Sequence, residues 1–293
     1  MDISQVIVGV DGSQPSRAAV QWAAREAASR DVELVVTHTV DWRSAGYAEA
    51  VRMTAEGIVD GAVAEARAAV PGLRVSPDLT VGRAAQSLID RSADDTLIVV
   101  GHRGRGGFAS LLLGSVSQQV ASHASGPIVV VRGRIDAAHG PVVVGIDGSE
   151  GSALTLGRAF AEAAYRSAIL VVIHAWLGNP NAEEDDGEEQ AIGRQMLTDE
   201  IAPWCANFPD VEVESAVVQG HPVELLLGQS RSAQLVVVGS RGREGFTGLL
   251  LGAVSHQLLH HADCPVLIVP TAVAEEPSQL GRVPSSFVAR TAA

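Results

Sequence analysis

Two glycine-rich stretches carry the strongest chemical signal in the chain. Gly101-His-Arg-Gly104 is followed after nine residues by Gly114-Ser115-Val116-Ser117, and Gly239-Ser-Arg-Gly242 is followed after nine residues by Gly252-Ala253-Val254-Ser255. Each leaves an apolar run, residues 96–100 in the first copy and 235–238 in the second. A glycine loop between a buried strand and a helix suits phosphate. Glycine lets the backbone approach, and the helix start offers unpaired N–H groups with a favourable dipole. A carboxylate recurs with each loop: Asp11 in Val6-Ile-Val-Gly9-Val-Asp11-Gly-Ser13, and Asp147 in Val142-Val-Val-Gly145-Ile-Asp147-Gly-Ser149. An aspartate before Gly-Ser is open to two readings, a ligand contact or a turn and helix-capping residue. Together the motifs point to a tandem nucleotide-binding protein.

Composition narrows the chemistry. All 21 basic residues are arginine, which excludes a Walker lysine, a lysine Schiff base and a lysine-dependent kinase site. A net charge of −13 argues against general nucleic-acid binding, which needs a basic footprint. Cys205 and Cys264 lack metal-type spacing and read as reduced structural thiols. His260 and His261 are helical neighbours that point apart, so a metal site is not assigned there. No paired carboxylates beside a loop supply a general base and a metal ligand, and no catalytic residue is assigned. No apolar run reaches about 18 residues, so no membrane span is expected. The N-terminus has no signal-like region, and a cytoplasmic location is expected.

The elements that must position these residues come in two sets. The first-strand motifs and the strand-two histidines, His38 and His174, repeat at an offset of 136; the loops and the final strands, 126–131 and 264–269, repeat at 138. That period suits a duplicated domain. The expected units are residues 1–135 and 141–271, joined around Gly133 to Gly140, with 272–293 as a flexible tail. In the first unit, strands are expected near 5–10, 33–39, 73–80, 96–101 and 127–132. Helices are expected near 14–30, 46–70, 83–92 and 114–124. Apolar strands alternating with helices imply an α/β fold with a parallel sheet covered on both faces. In such doubly wound sheets, ligand sits beyond the carboxyl ends of the strands at the switch point. Asp11 and Gly101 meet there if the first and fourth strands are neighbours.

With these motifs in register twice, both halves resemble universal stress protein domains of the ATP-binding type. The resemblance rests on the G-x2-G-x9-G-(S/T) loop, the strand-terminal aspartate, the strand-two histidine and the closing (C/G)-P-(V/I) strand, over about 4–132 and 141–270. It implies two Rossmann-like domains with five-stranded parallel sheets of order 3-2-1-4-5, and ATP, alone or with Mg²⁺, between the first and fourth strands. By position it implies that Asp11 holds the ribose or adenine end and that Gly9 and Thr39 line the adenine. Gly101, Gly104, Gly114, Ser115, Val116 and Ser117 would cradle ribose and phosphates through backbone N–H groups and the two hydroxyls. The matching set is Gly145, Asp147, Ala175, Gly239, Gly242, Gly252, Ala253, Val254 and Ser255.

Ala253 departs from the pattern by dropping a hydroxyl donor. Hydrogen bonds to charged groups are worth roughly 1.5–3 kcal/mol, so the first site is expected to bind more tightly, and Glu244 opposite Gly106 adds charge near the second. Arg103, Arg105, Arg241 and Arg243 either clamp phosphates or stand solvated on the loops. His38 and His174 are expected to be structural, and the acidic run Glu183 to Glu189 a solvated loop. The resemblance implies a nucleotide-dependent regulator in stress or growth arrest, with an unidentified protein partner; the tandem arrangement would mimic the family's domain dimer within one chain, and the final-strand edges 127–132 and 265–270 offer pairing surfaces, a homodimer through them included. A slow ATPase and an interaction module without nucleotide are the alternatives.

Overall fold

The computed structural model describes residues 2–41, 48–105, 112–135, 139–177, 186–242 and 251–270. The first unit runs β1 (Gln5–Gly9), α1 (Gln14–Arg30), β2 (Glu33–Val40), α2 (Ala48–Ala69), β3 (Val75–Val81), α3 (Ala84–Ile89), β4 (Thr96–Gly101), α4 (Ser115–His123) and β5 (Ile128–Val131). The second runs β6 (Val142–Ile146), α5 (Ser152–Arg166), β7 (Leu170–Trp176), α6 (Asp186–Asn207), β8 (Val213–Gln219), α7 (Pro222–Ser230), β9 (Leu235–Gly239), α8 (Ala253–His261) and β10 (Val266–Val269). The tail from 272 onward and residues 183–185 of the acidic run lie outside the described residues; 186–189 open α6.

Local chemistry sets the boundaries. Ser13 caps α1, its Oγ accepting from the Ser16 amide at 3.3 Å, with proline in the first turn. Asp31 ends the helix in the left-handed region, φ +55°. Strands β4 and β5 are buried along their whole length, which requires helices on both faces. One buried cluster joins α1, α2, α5 and α6 to the sheet through residues such as Val6, Val8, Leu97 and Phe160. The alternate strand residues, including Ile7, Ile98 and Val100, pack with α3, α4, α7 and α8 on the other face.

The strand order is β3-β2-β1-β4-β5-β10-β9-β6-β7-β8. Each half therefore has the expected 3-2-1-4-5 order with parallel neighbours. Two expectations are corrected. Two separate five-stranded sheets are not formed, because β5 and β10 pair antiparallel, Val130 with Val266 and Ile128 with Ile268, and make one ten-stranded sheet. The final-strand edges consequently offer no ladder to a homodimer: each strand is already hydrogen-bonded on both sides within the chain. Among the described residues the open edges are β3 and β8.

The join is reinforced on both sides of the sheet. After β5, Gly133 (φ +57°) crosses so near the second unit that a Cβ there would lie 2.2 Å from the Asp263 carbonyl oxygen. The Arg134 amide donates to that oxygen at 2.8 Å, and Arg132 Nη1 donates to the Leu258 and Leu259 carbonyls at 3.2 and 2.7 Å, at the end of α8. On the other side, Glu26 and Arg30 of α1 meet Glu162 and Arg166 of α5, their equivalents at an offset of 136. Each arginine pairs with both carboxylates. Arg30 Nη2 lies 2.5 Å from Glu26 and 2.7 Å from Glu162, Arg166 Nη2 lies 2.7 Å from Glu26, and Arg166 Nη1 bonds Glu162. Arg30 also lies over the Tyr165 ring, 4.3 Å from its centroid.

Burial raises the Glu162 pKa, but Arg30, Arg166 and Arg158 outweigh it and bring the carboxyl down to about 2 from 4.5. A depressed carboxylate contributes stability that is complete above its unfolded pKa and is lost as pH falls through the folded one. Glu162→Gln is therefore expected to destabilise the chain by about 3–5 kcal/mol near neutrality, as for one partner removed from a buried ion pair. Urea unfolding should also show that the variant loses less stability than the parent between about pH 4.5 and about pH 2. A cost near zero, or parallel pH profiles, would mean that the quartet does not hold the two units together.

Candidate functional site

Strand β1 lies between β2 and β4, with Gly9 paired to Thr37 on one side and Val100 on the other. The first and fourth strands are thus neighbours, and Asp11 and the Gly101–Gly104 turn meet beyond their carboxyl ends. Asp11 Oδ1 accepts from the Ser13 amide at 3.0 Å, and Oδ2 accepts from the Arg105 amide at 2.6 Å. The aspartate is both a turn residue and a clasp on the loop. The cap of α1 is Ser13, two residues on. Burial pushes the Asp11 pKa up, but hydrogen bonds from Ser13, Arg105 and Ser16 outweigh it and leave the carboxyl below its ordinary value.

That clasp explains one glycine. A Cβ at Gly104 would lie 2.4 Å from Asp11 Oδ2, and one at Gly242 would lie 2.4 Å from Asp147 Oδ2. Gly9 and Gly145 are explained by a helix on the α4 and α8 face: a Cβ there would lie 3.0 Å from Leu88 Cδ1 of α3 and 2.7 Å from Leu226 Cδ1 of α7, so side-chain packing accounts for both. At the end of β4, Gly101 lets the strand pass α1, where a Cβ would stand 2.5 Å from the Pro15 carbonyl oxygen.

The loop delivers the chain into α4 through Gly114, whose amide donates to the His102 carbonyl at 2.8 Å. Gly114 occupies the cap position in extended conformation, with no side-chain cap on the helix. The amides of Ser115, Val116 and Ser117 then form the first turn, where intrahelical acceptors do not exist. Ser115 is exposed there, and Val116 packs partly against the core. Ser117 is buried and its Oγ donates to the Gly101 carbonyl at 2.6 Å. A hydroxyl has one proton, so this one ties strand to helix and is not available as a phosphate donor. Only Ser115 remains of the two expected donors.

The second crevice repeats the frame. The Ser149 amide donates to Asp147 Oδ1 at 3.0 Å, the Gly252 amide donates to the Ser240 carbonyl at 2.7 Å, and Ser255 Oγ donates to the Gly239 carbonyl at 2.6 Å. Ala253 opens α8 with its methyl exposed where Ser115 has a hydroxyl, and Val254 packs partly against the core. Glu244 and Arg243 lie outside the described residues. His38 and His174 behave structurally: their Nδ1 atoms lie 2.6 and 3.1 Å from the Val10 and Ile146 carbonyls, a contact that needs the ring N–H and ties strand two to strand one. Among the described residues no group of three His, Cys, Asp or Glu could hold a metal ion.

Sequence reasoning missed the polar surface beside the first crevice. Thr37 Oγ1 donates to Asp78 at 2.6 Å, and Arg91 pairs with the same carboxylate at 2.5 Å. Further along the same face, the Thr39 and Thr80 hydroxyls lie 2.9 Å apart. The signal was present as period-two polarity in Ser76-Pro-Asp78-Leu-Thr80, the edge strand β3.

The fold and the doubled crevice define a tandem protein of the doubly wound α/β class. The model of the universal stress protein family matches residues 3–132 and 139–270. A universal stress protein of Mycolicibacterium smegmatis is 39% identical over 282 residues, covering 90% of this chain and 96% of that protein. One from Mycobacterium tuberculosis matches with the same identity and coverage. The solved structure of a universal stress protein from Archaeoglobus fulgidus superposes with a TM-score of 0.69 over 92% of this chain and 97% of that one, at 20% identity. The chain belongs to the universal stress protein family.

The clasp makes a specific demand on Gly104. Gly104→Ala should destabilise the protein by about 1–3 kcal/mol through steric conflict with Asp11. In an Asp11→Ala background, the same substitution should cost less than about 1 kcal/mol, a coupling that a double-mutant cycle of thermal unfolding reads directly. Additive effects would show that the loop glycine answers to something other than the aspartate.

Proposed function

We propose that this chain is an ATP-binding universal stress protein that works as a nucleotide-dependent regulator and not as an enzyme. The observation that carries the reading is the uncapped start of α4, presented by a glycine loop that Asp11 clasps at the carboxyl end of β1 and β4. Orphan amides at a helix N-terminus, the helix dipole and the exposed Ser115 hydroxyl together favour an anionic ligand. The residues fit a nucleotide bound through its phosphates. Bound ATP would then alter the surface offered to a partner protein in the stress or growth-arrest response. Mg²⁺, where it accompanies the nucleotide, would be held chiefly by phosphate oxygens, since among the described residues no group of three His, Cys, Asp or Glu could hold a metal ion. The Asp11 clasp argues against fast hydrolysis, because, against burial, the backbone N–H bonds hold the Asp11 carboxyl below its ordinary pKa and make it a weak base.

The two crevices differ at the helix start, and the missing hydroxyl at Ala253 makes the second site weaker by roughly tenfold to a hundredfold. Mass spectrometry of small molecules released by denaturing the freshly purified full-length chain should recover ATP at between one and two equivalents. Gly114→Val, which places a side chain 3.3 Å from the Arg103 Cα, should remove the tighter site in an ATP titration while leaving a cooperative thermal transition. No nucleotide recovered, with no ATP binding by the parent protein, would leave a structural interaction module instead. ATP turnover faster than about one per second, the low end of ordinary enzymes, would make the protein an ATPase.

A further inference from the structure

The junction of the two units gathers basic side chains at the carboxyl end of β5. Arg132, one residue past that strand, donates through Nη1 to the Leu258 and Leu259 carbonyls at 3.2 and 2.7 Å. Those bonds set its guanidinium against the last turn of α8, where His260 is the next residue. The His260 ring lies 4.5 Å from that of His256 and 6.0 Å from that of His261, centroid to centroid. From the end of β4, His102 Nδ1 reaches the Val131 carbonyl at 3.4 Å, and Arg103 follows it in the chain.

Two atoms of this cluster lack what their neighbours have. Arg132 Nε and His260 Nε2 are wholly buried, and neither has a hydrogen-bond partner among the described residues. Buried polar atoms are nearly always paired, by water or an ion where the protein supplies nothing. The surrounding charge decides which group suits them. Burial, together with His256, His261 and Arg132, holds the His260 pKa below its ordinary 6.5. Burial, with Arg103 and Arg132, does the same to His102 against its bond to Val131. The carboxylate that bears on Arg132 is Asp263, which is exposed and lies 3.8 Å from Arg231. Within a chain of net charge −13, this patch is short of acid. A fixed guanidinium repels a metal ion, and among the described residues no group of three His, Cys, Asp or Glu could hold one. An oxyanion would satisfy both atoms through charge-assisted bonds.

The cluster is not repeated at the other end of the junction. At the offset of 138, Pro270 stands for Arg132, Ser240 for His102, and Gln118 and Ser122 for His256 and His260. The pseudo-twofold packing of the units therefore does not itself require these side chains.

We infer that Arg132 and His260, with His256 beside them, form a binding site for a small oxyanion of the phosphate or sulfate type, built across the two units and separate from the starts of α4 and α8. Arg132 supplies a fixed charge and its Nε–H, and His260 supplies a second N–H when its ring is protonated. Both residues are half-buried, so the place is reached from the surface. An anion favours the protonated ring, so binding takes up a proton and strengthens as pH falls through the histidine range. The bound anion joins the end of β5 to the end of α8, a tie between the units that responds to acidity and to oxyanion concentration. This site is independent of the nucleotide reading.

Sulfate is the probe, because it does not titrate in the histidine range. Histidine-ring NMR of the full-length chain, titrated with sodium sulfate at constant ionic strength, reads the site, with the His260 signals identified by their loss in His260→Gln. Sulfate is expected to raise the His260 midpoint by about one pH unit. It should bind about tenfold more tightly at about pH 5.5 than at about pH 7.5, the linkage of one proton to binding. Arg132→Met should remove the shift. A His260 midpoint that ignores sulfate overturns the inference, and so does a full shift in the Arg132→Met chain. Should that variant lose its cooperative thermal transition, His260→Gln tests the same site. Sulfate should raise the parent's thermal midpoint more at about pH 5.5 than at about pH 7.5, and the variant should respond alike at both. A variant that keeps the parent's pH difference overturns the inference.

Discussion

The antiparallel pairing of β5 with β10 is the constraint on which the arrangement depends. Ile128–Val131 and Val266–Val269 are short, apolar and fully buried. Left unpaired, either would end its half-sheet as an exposed hydrophobic edge, the kind that recruits other chains. Pairing them to each other removes both edges and makes one continuous sheet. Because the ladder between them is antiparallel while each half is parallel, the carboxyl ends of the two halves point in opposite directions. The two crevices therefore open at opposite ends of the strands, and each is built from residues of its own half.

The Glu26, Arg30, Glu162 and Arg166 quartet belongs to the same symmetry. A pseudo-twofold junction brings like residues together, so a lone charge on α1 would meet its own copy on α5. An i, i+4 Glu–Arg pair on each helix turns that conflict into alternation, each arginine facing two carboxylates. Such a buried network is costly to disturb, since removing one partner leaves a desolvated charge uncompensated. Arg132 serves a similar end on the opposite face. Its guanidinium meets the last carbonyls of α8, where a positive charge complements the helix dipole, while the first amides of α8 open on the second crevice.

Much of the frame was legible in the sequence because its causes are local. Continuous Val and Ile runs marked strands that needed cover on both faces, and β4 was bounded by a glycine turn whose chemistry acts within a few residues; the cap of α1 is Ser13 and not the aspartate two residues before it. The 136-residue offset also made the doubling plain. What the sequence did not disclose depends on distance. An apolar final strand reads alike whether it pairs within one chain or between two, so the sequence offers the 127–132 and 265–270 edges equally to each other and to a homodimer, and the β5–β10 ladder decides for the first. Ser117 sits in the motif as if it faced a ligand, and only the fold shows the Gly101 carbonyl at the end of its hydroxyl. Thr80 and Ser87 lie outside every motif, and only the β2–β3 register and a short helix bring their hydroxyls to the Thr39 side.

The glycines themselves change meaning once the contacts are known. Gly104 is required by Asp11, Gly9 by Leu88 and Gly101 by the α1 backbone, and the second unit repeats the first two demands with Asp147 and Leu226. A chain would need these glycines to close the turn even if nothing bound there. The pattern therefore certifies the geometry of the crevice, and the ligand chemistry must be sought in positions that packing leaves free. Those positions are the first amides of α4 and α8, residue 115 against residue 253, and the ladder step that is Thr39–Thr80 in one unit and Ala175–Val218 in the other. At each of the side-chain positions the first unit is polar and the second is not. Duplication preserved the scaffold that shapes a crevice, and the divergence lies where a ligand would be read.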